Sequence, residues 1–332
     1  MYISIQFIAL ALIIFFSGSR LAKYGDIIAE KTGLGRTWIG VILMASITSL
    51  PELITGISSV TIFDLPNITA GDLLGSCMFN ILIIALLDAI VGSVPISTRV
   101  HEGHVLSASF GIFMLGLVSL GLFMGPNFTS IGWVGLYSLI IIPVYFIAMR
   151  IIFLYEKIRI SKIVKEITEE LLYDKVSKSR AYGMYSLNAV ILIGAAAYLP
   201  HVGQEIAEVT GLSQTFVGTM FIAVSTSLPE VVVTIAAVRI GAVDLAVGNL
   251  LGSNLFNCCI LGLDDVLYLK GPILSYVAQK QIITASSAIS MTAIAIIGLT
   301  YRASKKPLIF AWDSMGILVV YFIAIFVLYT MG

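Results

Sequence analysis

The sequence predicts an all-α integral membrane protein of ten transmembrane helices, arranged as two inverted five-helix repeats with helices 2 and 7 broken. Three observations predict it: the composition, ten long apolar runs, and a segment duplicated in the two halves. Of 332 residues, 58% are hydrophobic and only 11% charged, and the mean hydropathy is +1.02. Soluble domains carry about 25% charged residues, so this chain cannot clothe a globule in polar surface. Its 19 Lys+Arg balance its 19 Asp+Glu, which removes the electrostatic case for a nucleic acid or a strongly acidic partner.

A hydrocarbon core about 30 Å thick takes about 20 apolar residues per helix. The first run, 3–19, has an apolar centre but no basic leader, so it reads as an uncleaved span rather than a signal peptide. Gly33 and Gly35 separate it from the second, 37–60, and Pro66 precedes the third, 69–92. The fourth and fifth, 104–124 and 130–155, flank Gly125 and Pro126. The sixth, 183–200, ends at Pro200, and Gly211 leads into the seventh, 213–238. Gly241 precedes the eighth, 243–268; Gly271 and Pro272 precede the ninth, 276–299; Pro307 opens the tenth, 307–331.

Between the fifth and sixth runs, Glu156 to Arg180 alternates charges with Ile163, Ile167, Leu171 and Leu172. This reads as a solvated inner loop with a short amphipathic helix, too short to fold as a separate domain. The expected plan is a first repeat over 1–155, a cytoplasmic linker over 156–182 and an inverted second repeat over 183–332. With the N-terminus outside, 17 of the 19 Lys+Arg fall in inner loops, and only Lys270 and Lys280 lie outside. Basic residues concentrate on the cytoplasmic side, so a multi-pass cell-membrane protein with both termini outside is expected.

The duplication is explicit. GDIIAEKTGLGRTWIGVILMASITSLPE at 25–52 aligns without gaps with GQEIAEVTGLSQTFVGTMFIAVSTSLPE at 203–230, with 15 identities in 28 positions. GDLLGSCMFN at 71–80 likewise matches GNLLGSNLFN at 248–257. Five spans per half is an odd number, so the second copy crosses in the opposite sense. Inverted repeats with interrupted helices at matching positions point to a secondary transporter whose site lies near the midplane.

Glu52 and Glu230 each stand mid-span. A carboxylate there costs roughly 2.5–3.5 kcal/mol on insertion scales and by default marks an ion pathway. Pro51 and Pro229, just before them, free the carbonyls of Ile47 and Ser225, and irregular backbone at this depth persists where it lines a cavity or is buried in protein. Helical spacing adds Thr48 and Ser49 to the first glutamate, and Thr226 and Ser227 to the second. Ser76 with Asn80, and Ser253 with Asn257, are spaced four apart on the next span of each half. Ten residues thus offer oxygen ligands, which selects a hard cation: calcium takes six to eight oxygens, whereas zinc and copper want His or Cys. His101, His104 and His201 are expected in loops, and Cys77, Cys258 and Cys259 read as packing residues in apolar runs. Gly71 with Gly75, and Gly248 with Gly252, form GxxxG pairs that permit close helix contact.

These residues resemble the α-repeats of the sodium/calcium exchanger family, in the cation/calcium antiporter superfamily. TSLPE at 48–52 and at 226–230, each followed by a GSxxFN segment, carries the resemblance. By position, it implies that Thr48, Ser49, Glu52, Ser76, Asn80, Thr226, Ser227, Glu230, Ser253 and Asn257 coordinate the transported ions. It adds the backbone carbonyls of Ala45 and Ala223, three residues before each Thr, and implies that the first and sixth helices slide across a fixed core. Three positions depart from the family pattern: Ile47 and Ser225 replace the glycine before TSLPE, Asn257 stands where many members have Asp, and Cys77 replaces the Asn of GSN.

The expected function is secondary active antiport of calcium against sodium through one shared site. Two ionised glutamates make the empty site costly to carry across hydrocarbon, and exchange follows if only loaded states reorient. Calcium, sodium and the lipid bilayer are the implied partners; no cofactor, catalytic residue or obligatory protein partner is implied. The alternative within the fold is a calcium/proton or other divalent cation antiporter, although Asn257 removes a titratable group and no GNxxEH-like motif is present. A channel would build its filter from a symmetric oligomer. An intramembrane hydrolase using Ser49 or Ser227 lacks an activating His or Lys at membrane depth.

Overall fold

Within lipid a backbone N–H finds a partner only inside its own helix or in a closed barrel, and these apolar runs become helices. The computed structural model describes residues 2–32, 45–92, 94–163, 176–307 and 309–331. α1 (Tyr2–Thr32) is followed, beyond residues 33–44, by a helical turn at 45–48 and by α2 (Leu50–Ser58), which continues as a π-helical turn to Phe63. α3 (Pro66–Ile90), α4 (His104–Met124) and α5 (Leu136–Ile163) complete the first half. In the second half come α6 (Lys178–Thr210), then α7 (Gln214–Thr226) and α8 (Leu228–Arg239), a pair bent by 45° at Ser227. α9 (Val243–Leu267), α10 (Gln281–Tyr301) and α11 (Trp312–Thr330) follow. Among the described residues, eight helices are long and apolar enough to cross a bilayer, and the bent α7–α8 pair brings the number to nine. The expected second span, 37–60, is described only from residue 45.

Several boundaries differ from expectation. α1 continues through Arg20 and Lys23 to Thr32, because long basic side chains lie along apolar surface and do not end a helix. α6 likewise runs past Pro200 to Thr210; one proline removes one hydrogen bond from a 33-residue helix without terminating it. Gly211, at φ 73°, supplies the left-handed residue that ends it. His201 is therefore helical rather than in a loop, and its ring stacks on Phe63 at 5.5 Å. His104 opens α4, with Nε2 3.2 Å from Asp244 Oδ1. Residues 130–135 form a hairpin of β1 (Ser130–Ile131) and β2 (Val134–Gly135), turning at Gly132 with φ 63°, so the fifth span begins at Leu136. The amphipathic helix expected in 156–180 falls largely on 164–175, outside the described residues.

Burial ranks the helices. In α3 and α9, 78% of the most apolar stretch is buried, against 17% in α1. α3 and α9 therefore form the centre, and they pack on each other, while α1, the least buried, lies along α6. The α3 glycines permit a close crossing, as the GxxxG spacing implies. A Cβ on Gly71 would lie 2.9 Å from Gly218 Cα, and one on Gly75 only 2.6 Å from the Thr219 carbonyl oxygen. The segment approached is the π-helical stretch Val217–Ile222 within α7.

Candidate cation site at the helix breaks

Pro51 and Pro229 occupy the first turns of α2 and α8, where a missing N–H leaves no helical bond unmade. Ahead of them, Ser49 (φ −86°, ψ 14°) and Ser227 (φ −85°, ψ 7°) have almost the same backbone, so the two breaks are conformational copies. Each break starts a new helix whose first turn contains the glutamate, Glu52 or Glu230. The partial positive charge of a helix N-terminus favours a carboxylate in that place.

The copies interlock. Ser49 Oγ donates to Glu230 Oε1 at 3.1 Å, and Ser227 Oγ lies 3.0 Å from Glu52 Oε1. Each hydroxyl thus serves the glutamate of the other repeat, as a two-fold relation between the halves requires. Ser227 Oγ is also 3.0 Å from Ser76 Oγ, and Ser253 Oγ donates to Glu230 Oε1 at 3.4 Å. Ser76 Oγ is 3.4 Å from the Ala223 carbonyl and 3.5 Å from Thr226 Oγ1, and Thr48 Oγ1 is 3.2 Å from the Ala45 carbonyl. All twelve expected residues are buried; Asn257 at 1% and Ala45 at 3% are the most exposed of them.

The two asparagines behave differently from the rest. Asn80 Nδ2 donates to Asn254 Oδ1 at 2.9 Å, and Asn254 Nδ2 donates to the Cys77 carbonyl at 3.1 Å, tying α3 to α9. Neither polar atom of the Asn257 amide has a partner among the described residues. The same holds for one oxygen of each glutamate, Glu52 Oε2 and Glu230 Oε2, and for Asn80 Oδ1. Buried polar atoms left unpaired are costly. Here they gather at one place, an oxygen-rich centre suited to a hard cation.

Three buried side chains escape the motif-based reading. Asn254 occupies the position matched to Cys77 and builds the α3–α9 contact. Asp72 is fully buried and accepts a hydrogen bond from Thr226 Oγ1 at 2.8 Å. Asp264 is also fully buried, with neither oxygen partnered among the described residues, and lies so close to Gly56 that a Cβ there would meet Oδ2 at 2.2 Å. Gly56 stands one helical turn beyond Glu52 on α2.

A helical membrane protein of two matched halves, with reciprocal glutamates at paired helix breaks, belongs to the class of two-repeat secondary transporters. The profile of the family described as sodium/calcium exchanger protein matches residues 2–154 and 181–330, and the chain belongs to that family. It is 29% identical over 259 residues to inner membrane protein YrbG of Escherichia coli K12, covering 77% of each chain. It is 26% identical over 289 residues to sodium/calcium exchanger MaX1 of Methanosarcina acetivorans, covering 78% of this chain and 81% of that one. A solved structure of the sodium-calcium exchanger NCX_Mj, soaked with Na+ and Sr2+, matches with a TM-score of 0.62 at 20% identity over 98% of both chains. The two share the fold.

Proposed function

We propose that this protein is an antiporter that exchanges calcium for sodium across the cell membrane by alternating access to the oxygen site between its two halves. The observation that carries the reading is the reciprocal pairing of Ser49 with Glu230 and of Ser227 with Glu52, with a buried oxygen on each glutamate left unpartnered among the described residues. Such atoms are satisfied by a cation, and the charge of the pair matches one calcium or two sodium ions. Thr48, Ser49, Glu52, Ser76, Asn80, Thr226, Ser227, Glu230, Ser253 and Asn257, with the carbonyls of Ala45 and Ala223, form the ligand set. Family membership and the similarity to sodium/calcium exchanger MaX1 support sodium as the coupling ion.

The halves, 1–155 and 183–332, enclose this site, with the 156–182 linker cytoplasmic and both termini outside. α1 and α6, which lie along each other, move as one body across the rest. Their contact with the core is fine-grained: a Cβ on Gly18 would meet the Pro229 ring at 2.4 Å. The test is purified protein in liposomes, with calcium uptake driven by an imposed sodium or pH gradient. Uptake that follows sodium supports the proposal. Uptake that follows pH and ignores sodium overturns it, as does calcium flux with no counter-ion.

A further inference from the structure

We propose that Asp72 is the third negative charge of the cation site and holds a monovalent cation beside Thr226, so that it sets how many sodium ions the site binds at once. The assignment rests on the exchange reading above. Asp72 lies on α3 one turn before Ser76 and is fully buried. Its Oδ1 accepts from Thr226 Oγ1 at 2.8 Å, and that hydroxyl lies 3.5 Å from Ser76 Oγ and 3.1 Å from the Ala223 carbonyl oxygen. Its Oδ2 is buried with no hydrogen-bond partner among the described residues. With the hydroxyls of Thr226 and Ser76 beside it and Oδ2 orphaned among the described residues, the carboxylate is far from satisfied in so dry a place. The surrounding donors, two hydroxyls and a carbonyl, are those a hard cation takes.

The repeats differ at this point. The position matched to Asp72 in the second half is Asn249, also fully buried, whose amide has no partner at either atom among the described residues. The charge is therefore present on one side of the two-fold only. Asp264 lies beside Gly56, one turn further along α2; at the helix breaks themselves Asp72, Glu52 and Glu230 make three carboxylates, which are neutralised by one divalent and one monovalent cation, or by three monovalent cations. A change from three charges to two should remove one sodium from the set bound in the sodium-loaded state, from three to two.

The test compares the wild-type protein with Asp72→Asn in liposomes, reading the sodium dependence of calcium uptake. The expected result is a sodium Hill coefficient lower by one in the variant, with half-saturating calcium changed less than sodium. A slower variant with unchanged sodium cooperativity overturns the assignment and leaves Asp72 as a structural partner of Thr226. If Asp72→Asn does not fold, Asn249→Asp is read instead: a carboxylate at the matching place should steepen the sodium dependence, and an unchanged curve overturns the proposal. If the wild-type protein shows no sodium-driven uptake, the exchange reading has failed. Asp72 is then tested by thermal unfolding in detergent, where sodium should stabilise the wild-type protein more than Asp72→Asn; equal or absent stabilisation overturns it.

Discussion

Ser49 and Ser227 each present a hydroxyl to the glutamate of the opposite repeat, yet they are not equivalent. Ser227 Oγ lies 3.0 Å from both Glu52 Oε1 and Ser76 Oγ, whereas among the described residues Ser49 Oγ reaches Glu230 alone, which also accepts from Ser253. Hydrogen bonds to charged groups contribute about 1.5–3 kcal/mol, roughly tenfold or more in affinity. Ser49→Ala and Ser227→Ala should therefore each raise half-saturating calcium in sodium-driven uptake, with Ser227→Ala the more severe. Wild-type calcium affinity in both variants would remove these hydroxyls from the ligand set. Glu52 and Glu230 were legible from sequence because a repeated motif, a proline and mid-span depth coincide at each. Asp72 was not, because a third span read as starting at 69 leaves it at a membrane edge. The helix in fact begins at Pro66, and Asp72 is buried against Thr226 of the other half. Asn254 was hidden for a related reason: its partners, Asn80 and the Cys77 carbonyl, are on α3, and no spacing within α9 discloses them.

The helices depend on two kinds of contact that a hydropathy profile does not contain. The first is close approach. A Cβ on Gly75 would stand 2.6 Å from the Thr219 carbonyl oxygen and 2.8 Å from Ala223 Cβ, so Gly75→Ala must push α3 away from α7 and move a proposed ligand carbonyl. Overpacking of this kind costs about 1–3 kcal/mol. Thermal unfolding in detergent should show a lower midpoint for Gly75→Ala, whereas Gly111→Ala on α4, where a Cβ meets nothing within 4 Å, should be neutral or stabilising. Equal midpoints for the two variants would contradict the packing described. The second kind is the buried ion pair of Lys306 Nζ with Asp88 Oδ1, at 3.0 Å and with 3% and 0% exposure. Asp88 also accepts from the backbone N–H groups of Ile96 at 2.8 Å and Ala311 at 2.6 Å, so it ties the C-terminal end of α3 to the segments before α4 and α11. Its match eight residues after the second GSxxFN, Asp265, accepts from Ile273 N at 2.6 Å in the same way, but pairs with Tyr137 rather than a lysine. Removing one partner of a buried pair costs about 3–5 kcal/mol. Lys306→Met should therefore lower the unfolding midpoint markedly, and Lys306→Met with Asp88→Asn should recover part of the loss. A midpoint equal to wild type in the single variant would show that the pair adds nothing.

Across the entire chain, the neutral total of 19 positive and 19 negative residues conceals an uneven arrangement, from which both termini are expected outside. Of the two basic residues expected outside, Lys270 is held by Asp64, whose carboxyl is kept below the usual range by Lys270 and by the Tyr268 hydroxyl. On the side expected to be inner, charges also stand in pairs, Lys306 with Asp88 and Arg302 with Glu102 at 3.3 Å. Those pairs form only after folding, whereas the basic bias acts as the segments insert. The expected seventeen-to-two division should therefore govern topology even where the folded protein neutralises part of it. A direct measurement is available because Cys77, Cys258 and Cys259 are all buried as free thiols, which leaves little background for labelling. Tyr2 is 73% exposed and Met331 56% exposed, and Ser179 lies exposed at the start of α6. Single cysteines at Tyr2 and at Met331 should react with a membrane-impermeant maleimide added to intact cells, and one at Ser179 only after the membrane is opened. The reverse pattern would place the 156–182 linker outside and turn the exchanger around. A terminus labelled from each side would mean an odd number of crossings, and would break the inverted relation on which the paired glutamates depend.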